Sequence, residues 1–204
     1  MEIIRESEPE AISRCVQVLQ NGGVLAIPTE TAYGLACDPR NRIALAKIYK
    51  IKQRDQSKAL PLIACSKEQV ANIFEIPAQA QDLITKYWPG PLTILLAPAD
   101  MMMRKSMPVF KDGLAAVRVS SHPFVQKLTC EYGFPLTATS ANLADNPPCM
   151  NAEEIQIAFK NNSADLQPDL IVDGGVLPDN PASTIIKFME DGRVEVVRQG
   201  GIQI

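Results

Sequence analysis

The chain has 204 residues, of which 46% are hydrophobic and 21% are charged, and its net charge is −3 at pH 7. This composition excludes a disordered chain and predicts a single domain over residues 1–204. The acidic balance argues against sequence-independent nucleic-acid binding, which normally comes with a basic excess, but it does not exclude a local basic patch.

The cysteines and the N-terminus indicate the compartment. None of the five cysteines stands in a C-x-x-C spacing and His122 is the only histidine, so a zinc site with ordinary ligand spacing is not expected. Residues 1–6 carry charges where a secretory signal would be apolar, and the longest apolar run, residues 92–99, is too short to span a bilayer. We expect a reduced, cytoplasmic protein without a membrane partner, in which each cysteine is a small buried hydrophobe.

Hydrophobic periodicity and turn residues predict alternating helices and strands. Helices are predicted over residues 8–19, 41–53, 77–87, 123–132 and 152–159, with a short helix after Ser66. Strands are predicted over residues 24–28, 60–64, 92–96, 115–119, 136–139, 170–172, 184–188 and 194–197. We expect a flexible loop over 101–113, a cap from Ser121 or His122, and a hairpin turn at 190–192. The alternation indicates an α/β fold, and the hairpin indicates a mixed, twisted sheet flanked by helices.

A cationic segment follows the second predicted helix. Lys52, Arg54 and Lys58 place three cations within seven residues, which suits an anion with several oxygens, such as a polyphosphate. On a continuing helix Lys52 and Arg54 would point about 160° apart. Joint action therefore requires the helix to end near Ile51 and the chain to extend. The alternative is a solvated cationic helix end, which the helix dipole favours in any case.

A small polar triplet, Ser140-Ala141-Asn142, follows the apolar run 135–139. In an extended chain its hydroxyl and amide point to the same side, where both can bind a ligand. The alternative is a Ser or Asx turn that satisfies only the local backbone. The chain has neither G-x-x-x-x-G-K-[ST] nor G-x-G-x-x-G, so a nucleotide would not be held by a P-loop or a dinucleotide fingerprint.

Polar side chains also cluster in residues 28–35, directly after the first predicted buried strand. In open α/β sheets ligands bind at the carboxyl ends of strands. Glu30 is a candidate general base here, and a structural role as a hydrogen-bond acceptor is the alternative.

Seven motifs occur in a fixed order along the chain. They are Pro28-Thr29-Glu30-Thr31-x-Tyr33-Gly34-Leu35, Lys52-x-Arg54, Trp88-Pro89-Gly90-Pro91-Leu92-Thr93, Ala116-Val117-Arg118-Val119 with His122-Pro123, Ser140-Ala141-Asn142, Ser183-Thr184-Ile185 and Arg198-x-Gly200. In these motifs the chain resembles the YrdC/TsaC family of threonylcarbamoyl-AMP synthases, from about Val16 to Gly200. Two departures concern Ala59, where many members have Pro, and Ile63, where some have a His that contacts the amino acid.

The resemblance implies an enzyme that condenses L-threonine, bicarbonate and ATP into L-threonylcarbamoyl-AMP and pyrophosphate at a concave site. The product would pass to proteins that modify position 37 of tRNA. Mg²⁺ would come with ATP and no metal ligand is expected from the protein. The implied nucleotide-binding residues are Lys52, Arg54, Lys58, Ser140, Asn142 and Arg198, with Lys52 and Arg54 catalytic. Those around threonine are Thr31, Arg118 and Ser183.

Two other classes stay open at this point. One is a double-stranded-RNA-binding module, for which the net charge of −3 is unfavourable. The other is a divergent paralogue that binds nucleotide without activating threonine.

Overall fold

The computed structural model describes residues 1–144, 146–189 and 191–204. Its strands are β1 Glu2–Arg5, β2 Leu25–Ile27, β3 Gly34–Ala36, β4 Leu62–Ala64, β5 Phe74–Glu75, β6 Leu92–Pro98, β7 Ala115–Val119, β8 Leu136–Thr137, β9 Thr139–Ser140, β10 Leu170–Asp173, β11 Thr184–Phe188 and β12 Val194–Arg198. Its α-helices are α1 Ala11–Gln20, α2 Arg42–Lys52, α3 Lys67–Ala71, α4 Gln81–Tyr87, α5 Met101–Ser106, α6 Pro123–Tyr132 and α7 Ala152–Phe159.

The strands form two mixed sheets, which confirms the predicted α/β class. The first has the order β1-β10-β2-β3-β9, and the second has the order β12-β11-β6-β7-β4-β8, with β5 paired to β6. In the first sheet β1, β10 and β2 are parallel, whereas β3 is antiparallel to both of its neighbours. In the second, β6 pairs in parallel with β11 and antiparallel with β7. The hairpin of β11 and β12 is present, but Glu190 of its predicted turn lies outside the described residues.

Two apolar clusters cover the opposite faces of the sheets. Successive residues of a strand point to opposite faces, and β2 shows this directly: Leu25 and Ile27 pack in the smaller cluster, and Ala26 packs in the larger one. The smaller cluster lies under α1 and α6, and the larger includes the buried residues of α2 and α7. Because both faces are covered, inner strands such as β2 and β4 read as continuous apolar runs, whereas β12 at the edge is exposed.

The two sheets meet where β8 leads into β9. Thr137 donates its backbone N–H to the carbonyl of Cys37 (3.0 Å), and its hydroxyl accepts from the Cys37 N–H (2.8 Å). Ala138 donates to the carbonyl of Pro61 (2.8 Å). This junction places the end of β9 beside the start of β3, with Ser140 opposite Gly34.

Some local predictions are wrong for identifiable reasons. Residues 101–106 form α5, because the Asp100 side chain accepts from the N–H of Met103 (2.7 Å) and starts a helix. His122 occupies the N-cap position of α6, but neither it nor Ser121 caps the helix through a side chain. Strands β1, β3 and β5, which are two to four residues long, were not predicted.

The cysteines correct a second expectation. Cys15, Cys37 and Cys149 are buried thiols, as predicted. Cys65 and Cys130 instead form a disulfide between the end of β4 and α6, with Cα atoms 5.5 Å apart, so the expectation of five reduced cysteines is wrong for this pair. Across the described residues, no helix is long and apolar enough to cross a membrane.

Tyr33 ties the loop after β10 to the polar segment after β2. Its ring is fully buried, and its hydroxyl donates to the carbonyl of Gly175 (2.9 Å) and accepts from the N–H of Gly174 (2.9 Å). Burial raises the pKa of Tyr33 to about 12. The phenol is therefore a structural crosslink between loops, and not a free polar group for a ligand.

We predict that Tyr33→Phe lowers the free energy of unfolding by about 1–2 kcal/mol, because two backbone groups lose their shared partner. Denaturant unfolding followed by fluorescence measures the change. Tyr87→Phe is the control, since that hydroxyl makes only a long contact of 3.4 Å to Gln203. Equal stabilities for the two variants would contradict the crosslink.

Candidate functional site

The cationic segment begins where α2 ends. Asn41 fixes the start of this helix by accepting from the N–H groups of Ile43 (3.0 Å) and Ala44 (3.1 Å). The helix continues to Lys52, and Gln53 ends it with φ 50° and ψ 41°. The sequence argument required an end near Ile51 followed by extended chain. The end is close to that position, but Gln53 is left-handed, and this turn brings both Lys52 and Arg54 toward β9.

Lys52 is buried and binds the segment after β9. Only 2% of the residue is exposed. Its Nζ donates to the carbonyl of Ser140 (2.5 Å), the carbonyl of Asn142 (3.0 Å) and the Oδ1 of Asn142 (2.7 Å). The backbone carbonyl of Lys52 also accepts from Ala144 (2.8 Å). Lys52 therefore holds the Ser140–Asn142 loop against the end of α2.

The environment of Lys52 sets its protonation. Desolvation and, to a smaller extent, the positive charge of Arg54 lower the pKa of Lys52 to about 8. An effective penalty of several kcal/mol for a buried ammonium is typical, and here the oxygens of neutral groups compensate it. All three ammonium hydrogens have protein acceptors, so direct contact of Lys52 with a phosphate requires the exchange of one of these bonds.

Ser140 and Asn142 complete the same network. The Ser140 hydroxyl donates to Asn142 Oδ1 (2.7 Å), and Asn142 Nδ2 donates to the carbonyl of Asn146. The side chains satisfy a local turn, which was one of the two predicted alternatives. They also stand at the carboxyl end of β9, beside the loop after β2, and ligand binding there stays a prediction.

Arg54 and Lys58 are less completely bound than Lys52. Arg54 donates to the carbonyl of Ala59 (3.1 Å) and makes a long contact of 3.5 Å to Thr139 Oγ1, while its buried Nε has no hydrogen-bond partner among the described residues. Lys58 is exposed at the end of the loop. These two cations thus retain donors for an external anion.

A second group of polar side chains forms where β7 meets the loop after β2. Arg118 is 8% exposed, and its Nε lies 3.1 Å from Oε1 of Glu30 in an ion pair. Its Nη2 lies 3.4 Å from Thr29 Oγ1 and 3.5 Å from Thr31 Oγ1. The other carboxylate oxygen of Glu30 accepts from the Ser120 hydroxyl (2.6 Å). Thr29 and Ser120 were not predicted, because a buried serine or threonine carries no sequence signal of its partner.

Arg198 and Ser183 meet at the edge of the second sheet. Arg198 donates to the Ser183 carbonyl through Nε (3.1 Å) and Nη2 (2.7 Å), and Nη2 also lies 2.9 Å from the Ser183 hydroxyl. Thr93 donates its hydroxyl to Ser183 Oγ (2.8 Å). A side chain at Gly200 would overlap the carbonyl of Ala182, so glycine is required there by close backbone approach and not by a positive φ.

The structure therefore brings most of the predicted residues into small groups of side chains that are in contact. Lys52, Ser140 and Asn142 form one network, with Arg54 beside it. Arg118 and Thr31 are in contact, and Arg198 is bound to Ser183. Partial burial and the charge of Arg118 lower the pKa of Arg198, so these two guanidinium groups share one region. Within the part of the chain that the structure describes, the exposed Lys58 side chain forms no hydrogen bond or ion pair with another predicted side chain.

Two further observations delimit the site. Ile63 is fully buried in the smaller apolar cluster, so it does not replace the histidine of some relatives as a polar contact. An open depression of about 400 Å³, lined in part by Glu75, Phe188 and Met189, lies at the far end of β11 from Ser183. It includes none of the predicted site residues among its described lining.

In this α/β fold cations are gathered at strand ends, an arrangement that is chemically suited to an anionic ligand. The family model Sua5/YciO/YrdC, described as "Telomere recombination", matches residues 17–200. The chain therefore belongs to the Sua5/YciO/YrdC family.

Individual relatives agree with this family. A threonylcarbamoyl-AMP synthase of Vibrio cholerae is 36% identical over 199 residues, which cover 94% of this chain and 98% of that protein. One from Vibrio campbellii is 40% identical over 144 residues, or 69% of this chain and 77% of that protein. The crystal structure of P. abyssi Sua5 complexed with L-threonine matches with a TM-score of 0.84 and 29% identity, covering 98% of this chain and 57% of that chain.

The buried ammonium predicts a specific pH dependence of stability. Between about pH 8 and the ordinary lysine pKa of about 10.4, the unfolded chain keeps the Lys52 proton and the folded protein loses it. The contribution of Lys52 to the free energy of unfolding therefore rises with pH in this window, and it is constant below it. Unfolding of wild type and Lys52→Met at pH 7, 8, 9 and 9.5 should give a stability difference that shifts in favour of wild type above pH 8.

The comparison with Lys52→Met cancels the titration of cysteines and tyrosines, which both proteins share. A difference that is flat from pH 7 to 9.5, or that shifts against wild type, would contradict a depressed pKa of Lys52.

Proposed function

We propose that this chain is a threonylcarbamoyl-AMP synthase, which condenses L-threonine, bicarbonate and ATP to L-threonylcarbamoyl-AMP and releases pyrophosphate. The observation that carries the proposal is the assembly of two cationic groups, around Arg54 and around Arg118, at neighbouring strand ends. One suits a polyphosphate and the other suits a carboxylate. The synthase names of relatives that align with 69–94% of this chain support the same reaction.

The proposed nucleotide side comprises the end of α2 and the segment after β9. Arg54, Lys58 and Arg198 retain donors that can bind phosphate oxygens. Lys52 acts with them by holding the Ser140–Asn142 loop in place. It contacts a phosphate only if one of its N–H hydrogen bonds to that loop is broken. Backbone and side-chain groups of Ser140 and Asn142 form the wall of this side.

The proposed threonine side comprises Thr31, Arg118 and Ser183. Arg118 binds the carboxylate, because a guanidinium presents parallel N–H groups that match two carboxylate oxygens. The L-threonine named with the P. abyssi structure supports an amino-acid site in this fold. Since Ser183 is bound by Arg198, the two proposed sides are directly connected.

The chemistry needs positioning and charge stabilisation more than a covalent nucleophile. The threonine amine combines with CO₂ with loss of a proton, or with bicarbonate with loss of water, to give a carbamate. A carbamate oxygen then attacks the α-phosphorus of ATP as pyrophosphate leaves. Negative charge develops on the phosphoryl oxygens during this step. Fixed cations near the phosphates stabilise that charge without reorganisation, and a connected amino-acid site orients the attacking oxygen.

Mg²⁺ enters this proposal with the triphosphate. The donors on the nucleotide side are cations, hydroxyls and amides, which fit phosphate oxygens better than a metal ion, and no cluster of three metal-binding side chains occurs among the described residues. Mg²⁺ typically keeps several waters and binds through substrate phosphates. We infer that the cations of the chain hold the phosphates and that the ion neutralises part of their charge.

The remaining parts of the proposal concern organisation and partners. We infer that residues 1–204 act as one domain, because strands of both sheets contribute to each apolar cluster. The labile mixed anhydride then passes to tRNA-modifying proteins that transfer its threonylcarbamoyl group.

The reaction is tested by measuring pyrophosphate and AMP with ATP, threonine and bicarbonate, and with each omitted in turn. Pyrophosphate release that requires all three supports the proposal. Release that is independent of threonine would indicate a paralogue with another activity. A salt-dependent affinity for double-stranded RNA without any turnover would instead favour an RNA-binding module.

We predict that Arg54→Ala lowers kcat/KM strongly while the protein stays folded. Loss of a charge-assisted phosphate contact costs about 1.5–3 kcal/mol, or about 10- to 150-fold. Arg42→Ala is the control, because Arg42 is an exposed arginine at the other end of α2. Near-normal turnover of a folded Arg54→Ala protein would remove this loop from the site.

We predict that Arg198→Ala weakens ATP binding more than threonine binding without unfolding the protein. Calorimetric titration of both ligands measures the two effects. Arg193→Ala is the matched control, since Arg193 lies in the same hairpin and, among the described residues, forms its ion pair locally with Asp191 (2.6 Å). Unchanged ATP affinity would leave Arg198 as a support for Ser183 alone.

A further inference from the structure

The two edges of the Arg118 guanidinium have different environments. On one edge, Nε lies 3.1 Å from Oε1 of Glu30 in an ion pair, although neither atom makes a hydrogen bond among the described residues. On the other, Nη2 makes only long contacts of 3.4 and 3.5 Å to Thr29 and Thr31, and Nη1 has no hydrogen bond within residues 1–144, 146–189 and 191–204. One edge is thus held by the protein, and the other retains donors for a carboxylate.

Glu30 is itself fixed from two directions. The Ser120 hydroxyl donates to Oε2 at 2.6 Å, and Asn180 Nδ2 donates to the backbone carbonyl of Glu30 at 3.0 Å. The side chains of Glu30 and Arg118 are only 11% and 10% exposed, so solvent screens their ion pair weakly.

Ser120 connects this pair to the rigid part of the sheet. It is fully buried, and its N–H donates to the carbonyl of Ala64 at the end of β4 (3.2 Å). Its hydroxyl also accepts from the N–H of His122 (3.1 Å), and its carbonyl accepts from Gln126 Nε2 (2.7 Å) in α6. A line of contacts therefore runs from the sheet through Ser120 and Glu30 to Arg118.

The charge balance gives Glu30 a second role. Arg198 is close enough to Arg118 that the charge of Arg118 contributes to lowering the pKa of Arg198. Among the described residues, Glu30 is the carboxylate that pairs with Arg118. Its removal would leave two guanidinium groups to repel each other, and Arg118 could move away from its present orientation.

We propose that Glu30 and Ser120 are positioning residues for the amino-acid substrate. Glu30, held by Ser120, binds the Nε edge of Arg118 and keeps the Nη edge directed at the threonine carboxylate. This inference rests on the proposed function, because it assumes that Arg118 binds that carboxylate.

The geometry favours positioning over proton transfer for Glu30. A general base for the threonine amine needs an accessible oxygen within hydrogen-bond reach of that amine. Oε2 accepts from Ser120, and Oε1 is buried without a hydrogen bond among the described residues, 3.1 Å from Arg118 Nε. Oε2 is therefore occupied and Oε1 is closed to solvent, so neither oxygen is accessible to a substrate amine.

Steady-state kinetics of Glu30→Gln test the proposal, because glutamine keeps the shape and the Ser120 contact but removes the charge. We expect the KM for threonine to rise about tenfold or more, as loss of one charge-assisted interaction implies, with a much smaller change in the KM for ATP. Glu131→Gln, an exposed glutamate in α6, serves as the matched control and should leave both constants unchanged.

The preference for threonine over threoninamide is a second measurement, and it would not change if Glu30 had only a structural role. Wild type should prefer threonine over the amide because Arg118 binds a carboxylate, and Glu30→Gln should reduce that preference. Ser120→Ala keeps the charges of Glu30 and Arg118, and it should raise the KM for threonine by a smaller factor. If Glu30→Gln is unstable, Ser120→Ala tests the same contacts from Ser120 through Glu30 to Arg118.

The outcomes separate this inference from the proposed function. Absence of threonine-dependent pyrophosphate release in wild type overturns the proposed function itself. If wild type is active, an unchanged threonine KM in Glu30→Gln overturns only the positioning role. Loss of kcat with an unchanged KM would assign Glu30 to proton transfer, and equal increases in the KM of ATP and threonine would assign it to general stability.

Discussion

The candidate site depends on one buried ammonium group. Lys52 Nζ replaces its water shell with the carbonyls of Ser140 and Asn142 and with the Asn142 side chain. A buried charge with partial hydrogen bonding would be strongly destabilising, so the loop after β9 is held in the conformation that satisfies it. The hydrogen bonds of Lys52 also hold the end of α2 against this loop, next to Arg54. The ammonium thus acts as a structural constraint first, and its effect on a phosphate follows from the loop that it holds.

The rest of the site repeats this principle with arginines. Arg118 is held by Glu30 on one edge, and Arg198 is held by the carbonyl of Ser183. In each of these arginines some N–H groups contact protein oxygens, and the remaining N–H groups are available to a ligand. Anchored cations suit a reaction in which charge develops on phosphoryl oxygens, because their orientation is set before the substrate arrives. The mixed sheets make this possible by bringing the ends of β2, β7, β9 and β12 to neighbouring positions.

Much of this was predictable from the sequence, and the failures have physical reasons. Strong apolar periodicity predicted α6, α7, β7 and β11 with their observed bounds. The motif residues were identified before their contacts were known. The partners were not, because pairings such as Ser120 with Glu30 and Lys52 with Ser140 join residues about 90 positions apart. The disulfide of Cys65 and Cys130 was missed for the same reason, since 65 residues separate them and an odd cysteine count favoured free thiols.

The central claim is that one edge of the fold binds a triphosphate beside Arg54 and an amino-acid carboxylate at Arg118. A crystal structure of the chain with L-threonine and a non-hydrolysable ATP analogue tests this most directly. The account predicts phosphate oxygens within hydrogen-bond distance of Arg54, a threonine carboxylate on the Nη atoms of Arg118, and an intact pair between Glu30 and Arg118. A triphosphate bound elsewhere, or a threonine carboxylate that does not contact Arg118, would contradict it.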